Sequence, residues 1–230
     1  MNRTITKMMI MVISVLVGFV ANAQNFRFGI NGDVLLSWLV SDDDGVESKG
    51  MAPGFSYGLW AEYFFASNYG FTSGLRVSHM GGFITYNNDG FYIRLKEDTV
   101  IALPGTGLRY SLQYVEIPLS LKFKTNEIGY FTYFGQFGFI SGILWRAKAR
   151  TDNIPGFEEY KRIYDMNFFN ASLLVGLGLE YNLAGNTSLL VRLSYVGGFT
   201  DITKHKRILE DKDNAAVRIN SVRLAIGFLF

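Results

Sequence analysis

Residues Gln113–Lys124 read Gln-Tyr-Val-Glu-Ile-Pro-Leu-Ser-Leu-Lys-Phe-Lys, and they alternate strictly. Val115, Ile117, Leu119, Leu121 and Phe123 fall on one side of an extended chain; Glu116, Pro118, Ser120, Lys122 and Lys124 fall on the other. A period of two means a strand with one apolar and one polar face. Its length meets the roughly 9–11 residues that a tilted strand needs to cross a bilayer. If the apolar face meets lipid, this stretch is one stave of an outer-membrane barrel.

The same alternation recurs often enough to close such a barrel. Eight segments carry it: about Phe26–Leu39, Phe55–Phe65, Gly70–Gly81, Ser111–Thr125, Tyr130–Arg146, Phe168–Asn182, Thr187–Phe199 and Val217–Phe230. In the second, Trp60 interrupts the polar face formed by Ser56, Gly58 and Glu62. The fifth is aromatic on both sides, and Gln136 with Arg146 points its even-numbered residues inward. Tight turns follow the second, fourth and sixth segments (Ala66–Tyr69, Asn126–Gly129, Leu183–Asn186). Long polar connections, residues 40–54, 82–110, 147–167 and 200–216, follow the first, third, fifth and seventh. Short periplasmic turns alternating with longer external loops is the asymmetry of outer-membrane barrels. An even strand number then puts both chain ends in the periplasm. The second long loop contains strand-like pieces (Phe-Tyr-Ile-Arg-Leu and Thr-Val-Ile-Ala-Leu) expected to extend the wall as a hairpin.

Residues 1–23 read as a secretory signal peptide cleaved after Ala23: basic Arg3 and Lys7, an apolar run over Met8–Val20, then Ala21-Asn22-Ala23. Residues 24–230 are then a single barrel domain. The formal charge of +2 resides in Arg3 and Lys7, so the exported chain is neutral and has no basic excess for nucleic acid. Cysteine is absent, which excludes disulfides and thiolate metal sites.

The facing follows from bulk. The polar face is rich in Gly and Ser, which suits a cramped interior, whereas the apolar face is uniformly large with aromatics near the strand ends, where interfacial girdles sit. Those bulky groups would overfill an eight-stranded lumen, so they are expected to face outer-membrane lipid, which speaks against the soluble barrel with the opposite facing. The expected fold is an all-β, eight-stranded antiparallel transmembrane up-and-down barrel. Arg27, Asp33, Glu62, Arg76, Glu116, Lys122, Arg146, Glu180, Arg192 and Arg223 then point inward as an ion-paired plug, because unpaired buried charge is costly. Pro118 lacks a ladder donor, which predicts a bulge or a weakened ladder there. Phe228 and the terminal Phe230, with apolar residues at alternate positions before them, form the expected signal for the barrel-assembly machinery.

Motifs for chemistry are sparse. His79 beside Ser78, or His205 with Asp201 or Asp211, are the candidates for a base and nucleophile at the rim, and no motif fixes them. Asp42, Asp43, Asp44 and Glu47 match no calcium-loop spacing and read as a solvated acidic loop. Gly176-Leu-Gly178 lies within a strand and is no nucleotide fingerprint. No catalytic, cofactor or metal site is expected.

Tyr114-Val-Glu116-Ile117-Pro118-Leu-Ser-Leu-Lys122-Phe resembles the Y-[LV]-E-I-P-[LV]-x-[LI]-K-[YF] strand of the PorT family of Bacteroidetes outer-membrane barrels. Gly176–Tyr181 resembles that family's G-x-G-x-E-[YF] strand. Arg192–Ile202 looks like its R-Y-x-x-G-L-x-[ND]-I strand, departing from it by one extra residue at Phe199 and Thr200. The resemblance implies a non-enzymatic, monomeric outer-membrane barrel that assists type IX protein secretion and contacts other components of that pathway. Loop-mediated binding, adhesion or envelope support is the alternative, and a lipid-modifying enzyme a more distant one.

Overall fold

The computed structural model describes residues 25–43, 45–87, 91–95, 99–151, 153–154, 157, 159, 161–185, 187–204 and 216–230. The expected signal peptide, Asp44, His205 and Asp211 lie outside them. Eight long strands make the wall: β1 (Phe26–Ser41), β3 (Ala52–Ala66), β4 (Tyr69–Tyr86), β7 (Thr106–Lys124), β8 (Phe131–Arg150), β10 (Phe169–Ala184), β11 (Thr187–Gly198) and β12 (Val217–Leu229). Each pairs antiparallel with the next, and β12 returns to β1, so the barrel is closed. Phe28 and Phe230 exchange backbone hydrogen bonds of 3.1 and 2.7 Å across that seam. Closure leaves no unpaired edge, which a wall in hydrocarbon requires because water is not there to satisfy it.

The short connections lie at the end where the two termini meet. Gly129 and Gly185 turn there with φ of 69° and 57°, a left-handed backbone that side chains with a Cβ rarely adopt. The outward residues of the wall are large, apolar and exposed, as expected: Ile30, Leu59, Leu75, Leu119, Leu177 and Leu193 among them. Aromatic pairs ring both ends of this band, with Phe26–Tyr63, Tyr69–Phe123 and Phe131–Tyr181 at the short-turn end. Phe55 stacked on His79, Trp38–Tyr195 and Phe139–Phe199 ring the other. From Tyr63 to Phe55 a strand tilted by about 40° rises roughly 20 Å, the scale of a barrel's apolar band.

Beyond that band the structure departs from the sequence reading. β4 runs on to Tyr86, β7 begins at Thr106 and β8 reaches Arg150, so strand replaces parts of the expected loops 82–110 and 147–167. Short strands β2 (Val46–Ser48) and β9 (Lys161–Arg162) pair with β4 and β8. The strand-like pieces of the second loop do form a hairpin, β5 (Phe91–Arg94) with β6 (Thr99–Ala102), but it is a separate sheet and does not continue the wall. Ile93 and Ala102 of this hairpin join Leu39, Ile84, Leu108, Tyr110, Ala149, Ile163, Ile202 and Val217 in one buried apolar cluster. Backbone hydrogen bonds tie the pieces together: Ile163 donates to Ala147 (3.1 Å), Tyr164 to Arg94 (3.1 Å) and Ile202 to Val217 (2.8 Å). The long-loop end is therefore capped by a small water-type core standing on three extended strands.

Proline and bulge separate. Ser73 pairs with Leu119 and Arg76 with Glu116, but Gly74 and Leu75 form no bridge to the residues opposite them, Pro118 and Ile117. The register is unchanged, so Pro118 weakens the ladder without a bulge, and the Ser73 hydroxyl donates to the Pro118 carbonyl at 3.0 Å. The bulge lies instead where β7 passes from Gln113 to Tyr114, with Trp145 as the extra residue of β8. One inserted residue exchanges the two faces of everything after it. Before it, Phe134, Gln136 and Ile140 point inward; after it, Ala147 and Ala149 do.

Candidate functional site

The lumen holds two ion clusters, one above the other. Nearer the cap, the Glu116 carboxylate accepts both Arg223 Nη1 (2.7 Å) and Nη2 (3.0 Å), a two-pronged pair. The Ser78 hydroxyl donates to the same carboxylate at 2.7 Å, and Arg76 Nη1 lies 3.8 Å from it. Arg76 also faces Asp33 at 3.5 Å, whose oxygens accept the Asn31 amide (2.6 Å) and the Ser56 hydroxyl (2.8 Å). The five strands contributing these groups point them inward because the pleat gives each strand one inward residue in two. Nearer the short turns, Lys122 Nζ is held between the carboxylates of Glu62 and Glu180. Arg27 closes that cluster, 2.7 Å from Glu180 and 3.7 Å from Glu62.

Arg192 lies apart. Its guanidinium lies over the Trp60 ring at 4.1 Å, and its Nη1 donates to Gln136 at 3.1 Å. Its Nε and Nη2 are buried without hydrogen-bond partners. Trp60 thus belongs to the lumen, where it also donates from Nε1 to Glu62 at 2.8 Å. Its inward parity with Ser56, Gly58 and Glu62 was the available signal, and its apolar ring masked it. Lys122 similarly lies over the Phe134 ring at 4.3 Å. Gly178 leaves room for that ring, since a Cβ there would press into it, which accounts for a glycine in mid-strand.

Nine of the ten expected luminal charges are inside. Arg146 is not: it follows the Trp145 bulge, so its side chain is on the outer face and exposed. The count inside becomes five bases (Arg27, Arg76, Lys122, Arg192, Arg223) against four acids (Asp33, Glu62, Glu116, Glu180), and Arg192 is the base left over. Charges so enclosed and so paired pack the interior and hold the strands in register.

Among the described rim residues, Ser78 and His79 do not assemble a catalytic pair. Ser78 points into the lumen, whereas His79, its neighbour, faces outward and stacks on Phe55 with centroids 4.4 Å apart. In the acidic loop, Asp42 pairs with Arg218 and Asp43 accepts the Gly45 N–H at 2.8 Å. Asp201 Oδ1 accepts the N–H groups of Thr203 and Val217, both at 2.9 Å, as part of the cap. Among the described residues no group of three potential metal ligands comes together. Of the expected assembly signal, Phe228 and Phe230 both face outward and are exposed.

Several solved barrels are similar in architecture. Neisserial surface protein A is 14% identical, with a TM-score of 0.46 over 88% of this chain and 95% of that one. OprG from Pseudomonas aeruginosa is 12% identical, with a TM-score of 0.47 over 89% and 94%. Ail, the attachment invasion locus protein of Yersinia pestis, solved with the heparin analogue sucrose octasulfate, is 17% identical, with a TM-score of 0.41 over 90% and 99%. No curated protein matches the chain. The model of the outer membrane protein beta-barrel domain matches residues 22–204, and the chain belongs to that family, as a barrel of the outer membrane.

Proposed function

We propose that this barrel is a monomeric, non-enzymatic accessory of type IX protein secretion, with its termini and short turns in the periplasm and its cap outside. The filled lumen carries the reading. Eight strands enclose space only for side chains, and here that space holds Arg192, Arg223, Lys122 and Glu116 below an apolar cap. A cargo protein has no room to pass, so a contribution to export is made by the outer wall and loops acting on other secretion components. The resemblance of Tyr114–Phe123 to the PorT strand supports the pathway. Deleting the gene is expected to retain cargo proteins in the periplasm; unchanged cargo at the cell surface would overturn the reading.

A second reading is surface binding, adhesion or envelope support through the loops. It draws on the one-sided projection of β4, β7 and β8 beyond the apolar band. Normal secretion with altered adhesion in the deletion strain would select it. The lipid-modifying reading is disfavoured at His79, which has Ser78 on the opposite face of its strand.

A further inference from the structure

Among the described charges enclosed in the lumen, Arg192 is the one that the two ion clusters leave over. Near the short turns, Lys122 and Arg27 share Glu62 and Glu180. Nearer the cap, Arg223 and Arg76 share Glu116 and Asp33. Each cluster sets two bases against two acids and is neutral in itself. The guanidinium of Arg192 therefore adds one positive charge to a closed interior, where charge without a counter-charge is costly.

The orphaned atoms of Arg192 share one edge. A guanidinium is planar with five N–H donors in fixed directions, and Nε–H and Nη2–H leave it side by side. Both are buried without a partner, whereas the bond to Gln136 leaves from Nη1 and the Trp60 ring covers a face of the plane. Arg223 gives the contrast: Glu116 takes its Nη1 and Nη2, and Ser221 its Nε. Ser194, the next inward residue of β11, also has a buried hydroxyl without a partner. Gly176 of β10 lies beside both, since a Cβ there would come within 3.2 Å of Ser194 Cβ and 3.5 Å of Arg192 Cδ. The glycine thus sets no side chain against these donors. Buried donors without an acceptor are costly, and a water that accepted from them would leave the charge uncompensated and bring two protons of its own.

We propose that the lumen binds a single halide ion, held two-pronged by Nε–H and Nη2–H of Arg192 and by the Ser194 hydroxyl. One monovalent anion neutralises the surplus and accepts from all three donors without a fixed orientation. Arg192 and Ser194 are 1% and 3% exposed in an interior filled by side chains, which suits a monatomic ion better than a carboxylate or a phosphate. So enclosed, the ion is taken up as the barrel closes during folding. The site is independent of the secretion reading and of the barrel's orientation.

The test uses the mature barrel refolded in detergent with bromide as the probe, crystallised and measured at the bromine absorption edge. An anomalous peak beside Arg192 Nε and Nη2 is expected in the wild type and none there in R192M. Density at that point without anomalous signal, which is a water, would overturn the proposal, as would bromide bound only on the outer surface of the barrel. Urea unfolding in lipid vesicles reads the site in solution, with gluconate holding the ionic strength constant. Without halide the wild type and R192M should stand close, and bromide should separate them. Above saturation, each tenfold rise in bromide should raise the wild-type ratio of folded to unfolded protein about tenfold, with no such rise for R192M. General salt effects act on both barrels and cancel in the comparison, so an equal response of the two would overturn the site. S194A keeps the charge and should need more bromide for the same gain. Heat-modifiable migration in gels checks folding; if R192M fails it, the wild-type peak and its bromide dependence decide alone.

Discussion

Along β7 the inward face reads Leu108, Tyr110, Leu112 and Tyr114 in the cap, then Glu116, Pro118, Ser120 and Lys122 within the apolar band. The outward face of the same strand reads Arg109, Ser111 and Gln113, then Val115, Ile117, Leu119 and Leu121. The backbone is continuous; the solvent is not. In the cap, water outside drives apolar groups inward. In the band, lipid outside is as apolar as leucine, so the outer face gains from being greasy and polar groups go inside, where they find partners. β4 and β12 invert likewise, with Ile84 and Val217 in the cap and Arg76 and Arg223 in the lumen. Which face is the core is thus decided by surroundings, and the two regions should answer differently to the same kind of substitution.

The largest effect is expected where a buried charge loses its partner. Glu116→Ala leaves Arg223 without its two-pronged partner and removes the longer of the two pairings of Arg76, which costs about 3–5 kcal/mol. Replacing both partners, Glu116→Met with Arg223→Met, removes the desolvation of both charges and should cost less than the single change. Guanidinium unfolding of the barrel refolded into lipid vesicles measures both. A single variant within about 1 kcal/mol of wild type would mean that water reaches this pair and that the lumen is not the sealed interior described.

The cap should obey the rules of a soluble core. Ile84→Ala opens a cavity in a cluster that water surrounds, and a loss of about 2–4 kcal/mol is expected there. Leu119→Ala, on the lipid face and 59% exposed, removes a comparable side chain from a surface that lipid refills, so a smaller loss is expected. Limited proteolysis should cut the cap of the Ile84 variant while its barrel still resists dissociation in SDS. Equal losses at the two positions would erase the distinction between the regions.

The eight staves, their alternation of short and long connections and nine luminal charges were legible because one rule, apolar outward, holds throughout the band. The cap was not, because there the rule reverses: Ile84, Leu108 and Tyr110 continue the period of two with the opposite sense, and read as loop. Arg146 was misplaced for a second reason. A bulge inserts one residue without any marker in the local composition, and Trp145 on an already aromatic strand gives no cue to a change of phase. Trp60 was missed as a luminal group because a cation beneath an indole ring replaces the polarity that parity alone led one to expect. Pairings such as Glu116 with Arg223, 107 residues apart, depend on barrel register, which no local pattern specifies.

The smallest effect is expected at Arg192. It is as buried as Arg223, yet among the described residues no carboxylate lies within ion-pair distance of it, and its partners are the Trp60 ring and Gln136. Its removal therefore breaks no close ion pair, unlike the loss of Arg223. Arg192→Met keeps much of the volume, forfeits a cation–π contact of about 2 kcal/mol and relieves the desolvation of a cation whose Nε and Nη2 lack partners. These terms oppose, and a net change within about 1 kcal/mol is expected, against several for Arg223→Met, which leaves Glu116 without its two-pronged partner. Unfolding midpoints of the two variants in the same vesicles decide it. If Arg192→Met is the more damaging, the leftover charge is structural in its own right, and the balance of the lumen is set by the aromatic ring as much as by the acids.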